Sequence, residues 1–597
     1  MLDKREIVCD LCVVGGGLAG MAAAIAAARE GIHVVLMHER PVLGGNASSE
    51  IRMWICGAHG RGNRETGIVE EIQLENAYRN PTKSYAVFDT VLYDAVRAEK
   101  NITLLLNCTC MDATVEQGEF ADGRTTRITS VTGYQMTTQR MITVKATYFC
   151  DSSGDSILAP LTGADFRLGR EAADEYGEDT DRTVADTMTM GMSCLIGVRE
   201  ADGPVPYVTP ACHTPVSEED LAHRNPDLYR DVENFWYLEL GGNRDTIGDT
   251  EILRDELIGI ATGTWAHMKS DPRYRAEKFD LDFLGFLPGK RESRRLMGEY
   301  VVTQRDICDG RVFSDEVAFG GWSLDDHFPG GFYHHGAPNV YGKAPSPYSL
   351  PYRALYSKNV ENLYFAGRNI SMTHLAMSSI RVMATCALLG QAVGTAAAVA
   401  TERGLTPHGV YREAMNEVQE KLMQADCFLP SRRREISAIC RAAELNAPDT
   451  LRNGEDRAHR FYGTEGVPAY AAACEGEISY RFPAAHVASV HIVLDSDLDR
   501  LTLDGSQCER THGTRMVHRK DSPRYHLPTT LCRAFTLYGE KDGERRVLLD
   551  VTENRKRCYH LPVDAELTGL TLVPHAAWGE GDVPILSFDF NAKPIEG

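Results

Sequence analysis

Residues 11–39 constrain this chain more than any other stretch; they read LCVVGGGLAGMAAAIAAAREGIHVVLMHE. Leu11–Val14 is a short apolar strand run, Gly15, Gly17 and Gly20 form G-x-G-x-x-G, and Met21–Glu30 is an alanine-rich helix. Gly31 stops that helix, Val34–Met37 is a second apolar run, and the acidic Glu39 follows it. Each part has a mechanical role. Gly15 makes the tight strand-to-helix turn, Gly17 lets backbone N–H groups approach a pyrophosphate, and Gly20 lets the helix pack against the sheet. The helix N-terminus adds partial positive charge. Glu39, twenty-four residues past Gly15, is placed to accept hydrogen bonds from adenosine ribose hydroxyls. A glycine-rich loop alone is weak evidence. Strand, helix, second strand and terminal acid in that order predict a dinucleotide site.

Composition narrows the partners. A formal charge of -21 argues against nucleic acid or an anionic membrane, both of which need clustered positive charge. The run Ser431–Arg434 is too short to change that and reads as a solvated helix face. No charge-free stretch of about 20 apolar residues is present, and the small-residue run Thr385–Ala400 reads as a packed core helix. The N-terminus enters the first strand without the layout of a signal peptide, and the sixteen cysteines have no disulfide-framework spacing, so a cytoplasmic protein with reduced thiols is expected. Cys9 and Cys12 form a C-x-x-C inside a strand without a second ligand pair, and no metal site is expected.

At 597 residues, several domains are expected. Residues 1–160 carry the fingerprint, residues 161–345 read as an inserted substrate or cap domain, and residues 346–410 return to the dinucleotide-domain style. A helical linker over 411–454 leads to residues 455–597, where short β-type runs such as Val487–Leu494 and Arg545–Val551 predict an antiparallel β-sandwich. The expected fold is therefore α/β: a Rossmann-like dinucleotide domain with an inserted α+β domain and a C-terminal antiparallel β-sandwich.

Three further segments favour FAD over NAD. Gly44-Gly45-Asn46 follows the second strand, the turn Asp151-Ser152-Ser153-Gly154-Asp155 closes an apolar strand, and NLYFAGRN (Asn362–Asn369) precedes a long helix bearing Gly390, Gly394 and Ala397. The N-terminus of that helix can offer N–H groups to a flavin, and its positive end stabilises negative charge on a reduced one. These segments resemble the FAD-dependent oxidoreductase family of glutathione-reductase-type flavoproteins, relatives of the fumarate reductase flavoproteins. A bacterial branch is the closer resemblance, through PGKRESRRLMGEYVVTQRD (Pro288–Asp306), GGWSLDDH (Gly320–His327) and AGRNISMTHLAMSSIRVMATCALLGQAVGTAAA (Ala366–Ala398), over roughly residues 8–405. The resemblance implies FAD held by Gly15, Gly17, Gly20, Glu39, Gly45 and Asn46, with the turns at Gly154 and at Gly367, Arg368 and Asn369 close to it. Leu18, Ala19, Arg40, Ser49 and Met383 complete the expected cofactor shell. Many relatives carry an aspartate after the final glycine, where Arg368 and Asn369 stand here. The stretch LGGNASSE (Leu43–Glu50) lacks the histidine to which succinate-dehydrogenase-type relatives attach FAD, so non-covalent FAD is expected. No second G-x-G-x-x-G unit supports a built-in NAD(P)H site.

The catalytic candidates come from two places. His374 and Arg381 are seven residues apart, two turns of a helix. Arg381 can hold an anionic flavin or a substrate oxygen, and His374 can take a hydroxyl proton. Trp322, Asp325, Asp326 and His327 lie in a glycine-rich loop whose aromatic and carboxylate groups suit a sugar or polyol. His59 is a further loop candidate, and Arg291, Arg294 and Arg295 are expected to share a helix. The first expectation is hydride transfer from a sugar, glycoside or polyol hydroxyl to flavin N5, with an external electron acceptor or donor. Reduction of an unsaturated carboxylate is the alternative, and a flavin-binding scaffold or RNA-modification role a third. A homo-oligomer is compatible with all three.

Overall fold

The computed structural model describes residues 3–230, 233–457, 468–500 and 514–595. A seven-stranded sheet organises the first half. Its strands are β1 (Asp3–Val14), β2 (Val34–Met37), β3 (Ile102–Leu105), β4 (Cys108–Gln117), β5 (Thr126–Gln135), β6 (Arg140–Asp151) and the late strand Leu363–Phe365. The spatial order is β3-β2-β1-β6-β5-β4, with Leu363–Phe365 also on β6. β1 runs parallel to β2 and β6, and β2 to β3, whereas β4, β5 and β6 form an antiparallel meander. The buried end of β1, Leu11–Val14, and all of β2 read as continuous apolar runs because both faces are covered there. β6 serves two neighbours in succession: β5 along Arg140–Lys145 and Leu363–Phe365 along Phe149–Asp151. Asn362 sits at the changeover, where its Nδ2 donates to the carbonyls of Ile128 and Thr147 at 2.9 Å. Its Oδ1 accepts from the Ile128 N–H at 2.9 Å, so neither strand end is left unpaired.

α1 (Leu18–Arg29) packs against the helix Met383–Arg403 along a seam of small residues. A Cβ on Gly390 would stand 2.0 Å from Ala19 O, and one on Gly394 2.2 Å from Ala23 O. Only glycine permits that approach. Met383–Arg403 is also the one helix among the described residues that is long and apolar enough to cross a membrane, and 94% of its apolar window is buried inside the protein. Its composition is explained by packing in the core.

Residues between β6 and Leu363 supply one wall of the site. Met192–Ser193 and Ile196–Glu200 are two short strands in separate small sheets. The helix expected across KRESRRLMGEY is absent. Gly289–Lys290 pairs with Met192–Ser193, and Arg295–Leu296 pairs with Phe166–Arg167. Backbone partners at a distance, such as Gly191 O for the Arg291 N–H (3.2 Å) and Asn369 O for the Leu296 N–H (2.9 Å), override the i,i+4 charge pattern. The three arginines therefore point into different surroundings.

Tyr470–Ala472, Ile478–Leu494, Cys532–Lys541, Glu544–Val551, Cys558–Ala577 and Val583–Pro594 form a C-terminal antiparallel sheet, and Glu444–Leu445 pairs with the start of Ile478–Leu494. Its longest members are Ile478–Leu494 and Cys558–Ala577, and its core includes Tyr480, Val490, Ile492, Leu570, Leu572, Phe588 and Phe590. Among the described residues, hydrogen bonds join all of these strands into one sheet. This region is fastened to the first half: Arg500 pairs with the buried Glu70 at 2.8 Å, and Val517 lies in register with Val198.

Candidate active site

A cavity of about 310 Å³ opens beyond the C-terminal ends of β1, β2 and β6, the position where open parallel sheets bind ligands. Of the residues singled out in the sequence, Gly15, Gly17, Leu18, Ala19, Glu39, Arg40, Gly45, Asn46, Gly154, Gly367, Arg368, Arg381 and Met383 line it. Gly20, Ser49 and Asn369 stand behind the wall. A Cβ on Gly20 would meet Gly15 O at 1.9 Å, the Ser49 N–H donates to Asp89 at 3.0 Å, and Asn369 Nδ2 donates to Asp151 Oδ1 at 3.1 Å. His374, Asp325 and His327 are not among the lining residues.

The glycine loop owes its shape to groups that sequence reasoning missed. Gly15 has φ +111°, and a Cβ there would stand 2.3 Å from Ser152 O. The Gly16 N–H donates to His38 Nδ1 at 3.0 Å, and the His38 Nε2–H donates to Val42 O at 3.0 Å. Burial, helped by nearby Arg40, holds the His38 imidazole down at about 3, so it stays neutral and keeps that tautomer. His38 lies between the second strand and Glu39; its histidine could have been noticed, but not its partner.

The turn after β6 carries charge. Asp155 accepts from Lys290 at 2.7 Å, from Arg368 at 2.7 Å and from Ser293 Oγ at 2.8 Å. Burial alone would raise its carboxyl, and the two cations outweigh that and hold it below the usual range. The D-S-S-G-D string announced a glycine turn; Lys290 comes from 135 residues further on, a pairing no local pattern signals.

Two histidines behind the cavity are each clamped between carboxylates. His374 has Nδ1 2.8 Å from Glu292 and Nε2 3.0 Å from Asp326. His327 has Nδ1 2.6 Å from Glu239 and Nε2 3.4 Å from Asp325. Asp325 also accepts from Asn339 and pairs with Arg381 at 3.2 Å, while Arg291 lies 3.4 Å from Glu239 and donates to Ser193 Oγ and Trp236 O at 2.9 Å. The result is a buried charge lattice whose two cavity-facing members are Arg381 and Arg291. Beside them, Trp54 and Cys56 line the cavity and join Trp322 and Val382 in one apolar cluster. His59 packs edge-on against Trp322 at 4.3 Å.

Burial alone would lower the His374 imidazole, but Glu292 and Asp326 outweigh it and raise it to about 9. A raised folded-state pKa gives stability that is complete below the unfolded value of about 6.5 and is lost as pH rises through the folded value. Urea unfolding is therefore expected to show the advantage of wild type over His374→Gln shrinking between about pH 6.5 and pH 10. A gap independent of pH would mean that the folded imidazole is not charged.

The cavity's donors suit a dinucleotide with a polar ring system. Arg40, Arg368 and Arg381 all line it, and each keeps a buried Nε–H without a hydrogen-bond partner among the described residues. Buried donors of that kind cost about 1–3 kcal/mol each unless an acceptor is supplied. The family model for FAD dependent oxidoreductases matches residues 10–422. The chain belongs to this family. FAD is its cofactor, and the flavoprotein is an oxidoreductase. No curated protein matches it significantly. Similar solved structures include THI4 of Thermovibrio ammonificans (20% identity, 28% of this chain and 66% of that one, TM-score 0.21). A geranylgeranyl bacteriochlorophyll reductase-like protein of Thermoplasma acidophilum is 11% identical over 71% of this chain and 84% of that one, TM-score 0.31. A variant of E. coli quinol fumarate reductase FrdA is 12% identical over 70% and 75%, TM-score 0.27. At these identities the likenesses assign no reaction.

Proposed function

We propose that this flavoprotein transfers a hydride between FAD and a small substrate whose anionic oxygen is held by Arg381, and that the substrate class is an unsaturated carboxylate. One observation carries the reading: Arg381 is on the cavity wall with an unpartnered Nε–H, whereas Asp325, His327 and His374 are held in buried pairs off it. Bound FAD supplies the hydride-transferring group. Asp325 takes two contacts from Arg381 Nη2, through its backbone carbonyl at 3.0 Å and Oδ2 at 3.2 Å, and so fixes the fork while leaving Nε–H for substrate. Met53 and Trp54 give the same cavity an apolar wall that excludes water from the reacting carbons.

Oxidation of a sugar, glycoside or polyol hydroxyl is the second reading, favoured by the Trp54 and Trp322 cluster, whose aromatic faces suit C–H surfaces. A flavin-binding scaffold acting on RNA is disfavoured by the charge of -21. The C-terminal sheet as a β-sandwich that binds carbohydrate or joins copies of the chain, and a cytoplasmic location, stand as proposals beside it. Non-covalent attachment is supported by the histidine-free stretch Leu43–Glu50, and acid precipitation is expected to release all of the yellow colour into the supernatant.

Anaerobic spectroscopy separates the readings. On the first, dithionite-reduced protein regains its flavin absorption when an enoate is added, while sugars and polyols leave the oxidised protein yellow. Bleaching by a sugar or polyol, with no response to enoates, establishes the second. Silence from both panels sinks both.

A further inference from the structure

The segment around Cys56–Glu65 is stitched to the head of the helix Met383–Arg403, on the flank of the FAD cavity. The Ala384 N–H donates to Cys56 O at 3.0 Å, and Cys56, Met383 and Cys386 all line the cavity. Behind that wall lies Glu65, 1% exposed. Its Oε1 accepts from the Ala58 N–H at 2.9 Å and from the Thr385 hydroxyl at 3.0 Å. A Cβ on Gly57 would stand 2.3 Å from Glu65 Oε2, so the loop closes over the carboxyl. Thr385 is the third residue of its helix. The carboxyl therefore sits at the first turn, where the positive helix end stabilises negative charge.

No salt bridge reaches Glu65 among the described residues. Among the described residues, four titratable or charged groups face it: Arg64 beside it in sequence, Arg457, Tyr348 and Cys386. Arg457 is directed to Gly62 O at 2.7 Å, to Thr66 Oγ1 at 3.1 Å and over the Phe428 ring. Arg64 donates to Gln73 at 2.9 Å, and the Tyr348 hydroxyl is 2.6 Å from Ser379 Oγ. Burial pushes the Tyr348 hydroxyl up and the Cys386 thiol up to about 12, so both stay neutral. Burial also pushes Glu65 up to about 7, against the hydrogen bonds from its own N–H, Ala58 and Thr385 and the more distant Arg457.

We propose that Glu65 is a positioning residue for the flavin's electrostatics, taking up a proton when FAD is reduced and releasing it on reoxidation. The positive end of one helix serves both the carboxyl and the cavity. Negative charge added to the cavity raises the cost of a second negative charge on the carboxyl behind its wall, in a weakly polarisable interior. The balance is simple: a two-electron donor gives two electrons to the cofactor, one solvent proton joins the reduced cofactor and leaves it with one added negative charge, and a second solvent proton adds to Glu65. Only the placement of FAD in this cavity is required, whichever substrate is used.

Below about pH 7 Glu65 is protonated in both redox states and nothing couples. Above it, the oxidised protein holds a carboxylate that reduction protonates, so the midpoint potential falls more steeply with pH. Dithionite titration of the FAD-loaded protein tests this. Wild type and Glu65→Gln are expected to coincide near about pH 5 and to diverge above about pH 7, with wild type lower and steeper. Parallel curves across the range overturn the proposal. A second measurement on wild type alone does not depend on the variant loading FAD. The reduced-minus-oxidised infrared difference spectrum at about pH 8 is expected to gain a protonated-carboxyl band, and its absence also overturns the proposal.

Discussion

Arg381→Ala is expected to lower kcat/KM by about 100- to 1,000-fold, the size of effect seen when one preorganised donor to a developing charge is removed. FAD content, read as flavin absorption per polypeptide, is expected to stay within reach of wild type, because the glycine turns and Asp155 line the cavity independently of Arg381. The variant also leaves Asp325 short of a partner, since among the described residues its carboxylate otherwise keeps only His327 and Asn339. Some loss of stability therefore accompanies the loss of rate. Arg381→Lys keeps the charge and loses the planar fork. It is expected to fall between wild type and alanine, with most of the loss in KM if Arg381 binds substrate and transition state alike. Turnover is measured with whichever enoate or polyol changes the flavin spectrum. An alanine variant as fast as wild type would remove Arg381 from the site.

Gly15→Ala is expected to give a colourless protein. The residue holds φ +111°, and its new Cβ would press on Ser152 O at 2.3 Å. Conformational strain and overpacking each contribute about 1–3 kcal/mol, and both act on the loop that must approach the cofactor. Gly31→Ala is the control. Its φ is +97°, yet no atom lies within 4 Å of the added Cβ. It is expected to cost about 1 kcal/mol, to keep the yellow colour and to lower the thermal midpoint only slightly. If Gly15→Ala binds FAD as well as Gly31→Ala does, the close approach at Ser152 is not what the loop requires.

The parts of this protein that were legible in advance are those whose geometry is set by neighbours in the chain. The fingerprint from Leu11 to Glu39, the Gly154 turn and the helix that begins at Met383 could be read because a turn, a helix stop or a small-residue seam is encoded over a few residues. The segment Pro288–Asp306 could not. Its charges at helical spacing suggested a helix, yet Arg295 goes to Glu292 and to Glu171, both 2% exposed or less, and its backbone completes ladders with Phe166–Arg167. The same limit applies to His374. Its type and spacing marked it as a candidate base, but nothing local announced that Glu292 and Asp326 would occupy both ring nitrogens.

The sequence by itself determined the cofactor class, since the phosphate-binding turn is a local device whose glycines act through their own backbone. It also determined that a long apolar helix follows Arg381. Tertiary structure decided which polar groups face the cavity, because that depends on chain segments far apart: Glu239 beside His327, Asp325 beside Arg381, Lys290 beside Asp155, Glu65 beside Thr385. A buried charge takes its character from whatever partner packing brings to it. Distance along the chain carries no information about that.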